Sequence, residues 1–393
     1  MKNKTNFLEK LLEGVEVVWK PLGEVAELYG GLKGKSKADF EKGNSKYISY
    51  KNIFNNIEVD FENLEYVNVS SNENQYEIKY GDVLFTGSSE IAEESGMSSS
   101  VTTNSNEKVY LNSFSFGVRF NEGIVLKPEF TKYLFRSNFM RNEIAKTASG
   151  VTRYNVSKER FKKLQIPIPP LEIQQKIVAI LDTFTELTAE LTAELTARKS
   201  QYTYYRDKLL SFDENKVEWK TLGEVAEIGT GSHNTQDAVD YGIYTFYARG
   251  ITPLKLNSYD FDETAIITAG DGVGVGKVFH WAVGKYALHQ RAYRIVPNSV
   301  VNSRYVYHYI ITKFYDYILK TSVNSSVTSM RKPMFLNFPI PIPSLEEQER
   351  IVSILDKFDT LTTSITEGLP KEIELRKKQY EYYRDMLLSF PKN

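Results

Sequence analysis

The sequence predicts an α+β (mixed α/β) chain in which two globular domains are separated by two long, antiparallel, coiled-coil-like helices. Three observations predict this. The chain carries colinear internal repeats, each half holds a proline-rich strand followed by a near-heptad apolar stripe, and the long segments between the repeats barely resemble each other.

The repeats fix the frame. Trp19-Lys20-Pro21-Leu22-Gly23-Glu24-Val25-Ala26-Glu27 recurs as Trp219-Lys220-Thr221-Leu222-Gly223-Glu224-Val225-Ala226-Glu227. The run Ile-Pro-Ile-Pro-Pro-Leu-Glu-Ile-Gln-Gln-Lys-Ile-Val over 166–178 recurs over 340–352, and Arg-Lys-Ser-Gln-Tyr-Thr-Tyr-Tyr-Arg-Asp-Lys-Leu-Leu-Ser-Phe over 198–212 recurs over 376–390. The inserts of about 28–165 and 228–339 have diverged. A frame kept symmetric around unlike inserts suggests two readers of two different things. The repeat order is circular, since the block after Phe390 continues at the N-terminus, which would bring the termini together about a pseudo-two-fold axis.

The elements follow in order. The Ile-Pro-Ile-Pro runs must be extended, because proline and the residue before it avoid helix. Helices should begin near Leu171 and Leu345. Their apolar positions, Ile173, Ile177, Ile180, Phe184, Leu187, Leu191 and Leu195, then Ile351, Ile354, Phe358, Leu361 and Ile365, alternate spacings of three and four. Such stripes are seams for helix packing. Gly368-Leu369-Pro370 should break or kink the second helix. Thr188-Ala-Glu-Leu191 repeats as Thr192-Ala-Glu-Leu195, and one such unit is about 6 Å of helix against about 3.4 Å per base pair, so the helix can serve as a ruler between the inserts. Tyr202, Tyr205 and Leu209, with Tyr380, Tyr383 and Leu387, form stripes that either pack internally or dock a partner.

Strands are expected in the first insert at Lys46–Tyr50, Asp82–Phe85 and Ser113–Phe120, and in the second at Ile243–Tyr247, Ala265–Thr268, Lys277–Trp281 and Arg291–Val296. An aromatic-rich helix follows in each, about 129–147 and 301–321, then a basic loop, 149–158 or 322–332. The domains therefore run over 1–165 and 213–339, with spacer helices over 166–212 and 340–393.

Composition bounds the chemistry. The 393 residues are 41% hydrophobic and 25% charged, which supports sizeable cores. There is no cysteine, so no disulfide framework or thiolate metal site exists and a reducing cytoplasm is expected. Four histidines make a His-rich metal centre unexpected. No signal-peptide core is expected at the N-terminus, and no apolar run is long enough to span a membrane. Net charge is −1, but it is uneven. Residues 127–163 hold ten Lys/Arg against three Glu and 301–333 hold five against one acid, while 171–197 holds one Lys against five acids. These basic regions are either solvated surface or a polyanion-binding face.

Polar loop residues are the candidates for DNA contact: Lys33, Lys35, Lys37, Ser88, Arg153, Tyr154, Asn155 and Lys158 in the first insert, and Ser232, His233, Asn234, Arg249, Gln290, Arg291, Thr328, Ser329, Arg331 and Lys332 in the second. Arg and Lys suit phosphates, and Ser, Thr, Asn and Gln suit base edges. A plain surface loop is the competing reading for each. The run Gly270-Asp-Gly-Val-Gly-Val-Gly276-Lys277 has the wrong spacing for a phosphate loop and reads as a tight hairpin. No ATPase loop, dinucleotide fingerprint, zinc-protease motif, nucleophile elbow or adenine-methyltransferase motif is present.

The two divergent inserts, Ile-Pro-Ile-Pro-Pro-Leu-Glu-x-Gln before a heptad helix, the Thr-Ala-Glu-Leu units and Tyr-Tyr-Arg-Asp-x-Leu-Leu-Ser-Phe together resemble the specificity subunits of type I restriction–modification enzymes, over the whole chain. The resemblance implies two target-recognition domains, each binding one half of a bipartite site in double-stranded DNA, with the helices setting the gap. It implies two methyltransferase subunits using S-adenosylmethionine, two motor–nuclease subunits using ATP and Mg2+, a cytoplasmic location, and no catalytic residue, cofactor or metal in this chain. A free-standing DNA-binding regulator or antirestriction decoy of the same fold, or an enzyme with an unrecognised site, are the readings from other classes.

Overall fold

The computed structural model describes residue 11 and residues 15–272, 274–321 and 330–391. Contacts divide the chain into two compact units, 1–190 with 373–393, and 191–372. Each unit holds one insert, the frame strands around it, the start of one spacer helix and the end of the other.

The frame is the same in both units. Strand Val18–Pro21 pairs antiparallel with Gln165–Ile168, and Glu218–Thr221 pairs with Pro339–Ile342. The proline runs are extended, as their fixed φ requires. The backbone N–H of Leu22 then donates to Leu164 O, and that of Leu222 to Phe338 O, each at 2.8 Å. Helices start at Leu171 and Leu345. The buried Gln of each Leu-Glu-x-Gln motif locks the junction. The Nε2 of Gln174 donates to Pro169 O and its Oε1 accepts from Lys127 N, while Gln348 Nε2 donates to Pro343 O and its Oε1 accepts from Asn302 N. A buried backbone group left unpaired costs about 1–3 kcal/mol, so one side chain that satisfies groups on two segments ties them firmly.

The first insert forms two larger sheets and a short three-stranded one of order Ala148–Ser149, Tyr154–Val156, Ser88–Ser89. One of the larger two has strand order Ala26–Gly30, Ser115–Phe120, Val83–Thr86, Ser98–Ser100, and the other Glu65–Val67, Ser45–Ile48, Val109–Leu111. The second insert forms one six-stranded sheet: Ala226–Thr230, Ala292–Pro297, Phe261–Ala269, Phe279–Leu288, Tyr244–Tyr247, Leu254–Leu256. Strand Ser45–Ile48 pairs parallel with Val109–Leu111, and Tyr244–Tyr247 pairs parallel with Phe279–Leu288. Every expected strand is found, six of them within a few residues of the expected bounds; the one expected over Lys277–Trp281 runs on to Leu288 as Phe279–Leu288. The glycine run joins the antiparallel strands Phe261–Ala269 and Phe279–Leu288, so it is a hairpin connection, though a longer one than a tight turn.

Two expectations are corrected and a third is met. The helix expected over about 129–147 is two, Pro128–Leu134 and Asn138–Ala145, because Ser137 caps the second through a bond from Met140 N. Its counterpart is a single helix, Ser303–Thr321. The second spacer is broken, as its Gly368-Leu369-Pro370 run predicts, into Leu345–Thr363 and Gly368–Leu387, where Gly368 adopts φ +79°. The helical stripe is also shifted. Ile173, Ile177 and Leu181 are buried in one core, and Ile351 and Leu355 in the other. The start of each helix turns an i, i+4 face to its own domain, which overrides the three–four seam. Ile365 lies beyond the helix and is 79% exposed.

The aromatic stripes pack internally. The Phe184 ring stacks on Tyr383 at 5.2 Å within one unit, and Phe358 stacks on Tyr205 at 5.9 Å within the other. These are equivalent pairs of the repeat, so each aromatic frame residue meets its counterpart's partner. The first spacer runs unbroken from Leu171 to Leu209 and contains both Thr-Ala-Glu-Leu units.

Candidate nucleic-acid interface

The diverged inserts share a backbone scaffold that their sequences hide. In the first, Leu32 N donates to Leu111 O, Asn112 N to Ile48 O, Gly87 N to Phe114 O and Val156 N to Gly87 O. In the second, His233 N donates to Leu288 O, His289 N to Tyr247 O, Gly270 N to Arg291 O and Met330 N to Gly270 O. The two sets correspond bond for bond. Even a side-chain role is kept: Asn112 Oδ1 accepts from Phe114 N at 3.0 Å, and His289 Nδ1 accepts from Arg291 N at 2.9 Å. A Cβ at Gly87 would lie 2.6 Å from Phe114 O, and one at Gly270 2.6 Å from Arg291 O, so this crossing requires glycine twice.

The scaffold aligns side chains position by position. Tyr50 corresponds to Arg249, Ser88 to Asp271, and Phe114 to Arg291. In the first domain Tyr50 OH donates to Ser88 O at 3.0 Å, and Arg153 Nε donates to Ser88 Oγ at 2.9 Å. Ser88 lies on a short strand, Ser88–Ser89, that pairs with Tyr154–Val156 and so brings Tyr154 and Asn155 beside it. The expected basic loop is thus partly strand, Ala148–Ser149 and Tyr154–Val156. A hollow of about 450 Å³ opens here between Tyr50, Phe54, Ile91, Phe114 and Arg153. Phe114 is 67% exposed at its edge.

In the second domain Arg249 Nη1 donates to Asp271 Oδ1 at 2.8 Å, and Arg291 Nη1 to Asp271 Oδ2 at 3.1 Å. Burial pushes the Asp271 carboxyl up, but the two guanidinium groups outweigh it and hold the acid below its usual range. His289 is shifted down by burial and by Arg249, so its neutral ring can accept from Arg291 N. Ser232 Oγ donates to Asp260, whose Oδ1 also lies 3.3 Å from His233 Nε2. Gln290 Nε2 donates to Asn234 Oδ1. The structure therefore gathers Ser232, His233, Asn234, Arg249, Gln290 and Arg291 into one polar group. Arg331 and Lys332 follow Met330, whose N–H donates to Gly270 O, and both are exposed; among the described residues no hydrogen bond or ion pair joins their side chains to this group. Thr328 and Ser329 lie outside the described residues.

Other candidates fall elsewhere. Lys35 is buried in an ion pair with Glu73 at 2.5 Å, and that bond holds the Glu73 carboxyl down to about 2. Lys33 pairs its backbone with Gln75 and sets its Nζ 5.9 Å from the Tyr76 ring. Lys37 is exposed on a short turn, Lys37–Phe40. Among the described residues no hydrogen bond or ion pair joins these lysines to the Ser88–Arg153 group. Lys158 and Lys332, expected in loops, instead open short helices, Lys158–Phe161 and Lys332–Leu336.

Much of the basic balance over 127–163 is structural. Arg136 donates to the carbonyls of Ile53, Phe54, Asn56 and Ser98, and Arg141 to those of Glu93, Ser95 and Gly96. Burial lowers both to about 10. They bind loops together rather than face a polyanion. Conversely, sequence reasoning missed Tyr50, Phe114, Asp271 and His289. Nothing in their local pattern distinguishes them, and only the long-range backbone bonds single them out.

Comparison with known proteins agrees with this layout. The model of the type I restriction modification DNA specificity domain matches residues 14–198 and again 214–375. A type I restriction enzyme specificity subunit of Escherichia coli is 34% identical across 99% of this chain and 98% of its own length. A putative one from Haemophilus influenzae is 33% identical across 99% and 100%. The fold matches the type I restriction-modification S subunit of M. genitalium with a TM-score of 0.54 at 15% identity, covering 100% of this chain and 99% of that one. It also matches a chain from a structure on complex assembly and conformational transition of the type I system, with a TM-score of 0.63 at 19% identity, covering 95% and 97%. A family match to each half of the duplicated frame, joined to relatives that align from end to end, places this chain in the type I restriction–modification DNA specificity family.

Proposed function

We propose that each insert reads one half of a split site in double-stranded DNA, and that the helix Leu171–Leu209 sets the unread gap. The observation that carries this is the shared scaffold with unlike side chains at matching positions. A common backbone presenting Tyr50, Ser88 and Phe114 in one domain and Arg249, Asp271 and Arg291 in the other suits two readers of different sequences. Two methyltransferase subunits would supply adenine methylation with S-adenosylmethionine, and two motor–nuclease subunits would supply translocation and cleavage with ATP and Mg2+, in the cytoplasm. This chain would contribute recognition and no catalytic group. Near full-length relatedness to specificity subunits disfavours a free-standing regulator or decoy.

The test is methylation mapping by single-molecule sequencing in a methylation-free host that expresses this chain with its methyltransferase subunits. A bipartite motif with a fixed gap is expected. A third Thr-Ala-Glu-Leu unit after Leu195 adds about 6 Å of helix, and should lengthen the gap by one to two base pairs while sparing both halves. A continuous motif, or an unchanged gap, contradicts the reading.

A further inference from the structure

The second domain carries a feature whose chemistry narrows what it reads. Asp271 holds two arginines at once, one on each carboxylate oxygen, at 2.8 and 3.1 Å. The arginine side chains remain 42% and 64% exposed, while Asp271 is only 22% exposed. Each guanidinium uses one Nη1–H on the carboxylate. Among the described residues, the side-chain Nη2 and Nε groups of Arg249 and Arg291 make no hydrogen bond to protein. A guanidinium has five donors in a fixed fork, so each arginine retains a pair of adjacent N–H groups for an outside acceptor.

Charge and shape together favour a base edge. The Asp271 carboxylate cancels one of the two arginine charges and leaves a net +1, so the pair draws a phosphate less strongly than two free arginines would, while its open N–H groups still fit a neutral base edge. The acceptor pair that matches an arginine fork in the major groove is O6 and N7 of guanine. Holding the fork before binding also lowers the cost of ordering a long side chain. The first domain, with Tyr50, Ser88 and Phe114 at the same scaffold positions, has no carboxylate-held pair of arginines there; its one guanidinium, that of Arg153, bonds Ser88 Oγ.

We propose that Arg249 and Arg291 read guanine in the half-site of the second domain, with Asp271 as the residue that positions both. The inference rests on the reading that this domain contacts DNA bases. It is tested with the full chain and its methyltransferase subunits, by mapping methylated sites and by measuring DNA binding against salt. Arg249→Ala and Arg291→Ala should each relax one G·C position of the same half-site by about 5- to 150-fold. Arg249→Lys and Arg291→Lys keep the charge and lose the fork, so they should relax the same positions. Asp271→Asn should loosen both positions together, and Asp271→Glu should recover part of the discrimination. The other half-site should stay unchanged throughout. Relaxation at A·T pairs only overturns the proposal. So does uniform weakening with a shallower salt dependence, the mark of a phosphate contact, or an Asp271→Asn variant that keeps both positions. If the unaltered complex shows no bipartite motif, the underlying reading fails, and this result is distinct from the others.

Discussion

In the first domain the chain leaves the sheet after Ser98–Ser100 and returns as Val109–Leu111, so two larger sheets form. In the second, one strand, Phe279–Leu288, occupies both places and fuses them. Gly284 lies within that strand at φ +79°, where the backbone must turn to serve two neighbours in succession. Around this difference the scaffold bonds are unchanged, and so are the Gln174 and Gln348 locks. The lesson is that the frame tolerates a rebuilt sheet provided the crossing at Gly87 or Gly270 is kept. What varies freely is what projects from that crossing.

Several variants can break or sharpen this comparison. The largest effect should come from the frame. Gln174→Ala strands one N–H and the carbonyls of Val125 and Pro169, and Gln348→Ala one N–H and the carbonyl of Pro343, so each should cost about 2–4 kcal/mol. Thermal unfolding should show losses of similar size, and a marked inequality would refute an equivalent frame. Next come the readers. Arg153→Ala should weaken discrimination in the first half-site by about 1–3 kcal/mol, and Arg331→Ala likewise in the second. Methylation mapping checks this, and equal loss in both halves from either variant contradicts two independent readers. Gly284→Ala should cost about 1 kcal/mol or slightly more, because an L residue must adopt positive φ. Hydrogen exchange should locate that loss in residues 226–297 and leave 26–120 untouched.

The smallest effect is pH-dependent. All four histidines belong to the second domain, and His280, His289 and His308 are shifted below 6.5, each by burial first. Their neutral forms are favoured in the folded state, so the unfolded chain binds protons first as pH falls. Stability is therefore full above about pH 6.5 and declines below it. Hydrogen exchange at pH 7 and 5.5 should show loosening confined to the second domain. Matching loosening in the first domain, which has Asn112 where the second has His289, would contradict this.

The parts legible in the sequence are those that the repeat forces to be identical. Proline fixed the frame strands, and Leu171 and Leu345 open their helices as the pattern predicts. The strands of both inserts were readable because their apolar runs are bounded by turn residues. Less was legible where a long-range contact decides the outcome. Lys35 looks like a free loop cation and is held by Glu73. Arg136 and Arg141 look like a basic face and are buried among carbonyls. Leu181, outside the heptad stripe, is buried, because the domain core competes for the start of the helix. In the candidate site, loop composition points to Ser88, Arg153, Arg249 and Arg291. It does not point to their partners Tyr50, Phe114 and Asp271, since no local periodicity links positions that meet only through backbone bonds across the sheet.

The central claim is that two independent readers hang on one duplicated frame. A chain in which residues 28–165 are replaced by a second copy of 228–339 tests it most directly. Expressed with the methyltransferase subunits and mapped by methylation sequencing, it should modify a site whose two halves are inverted copies of the second domain's half-site. Methylation that keeps the first domain's original half-site, or a motif in which the two halves still differ, would contradict the account.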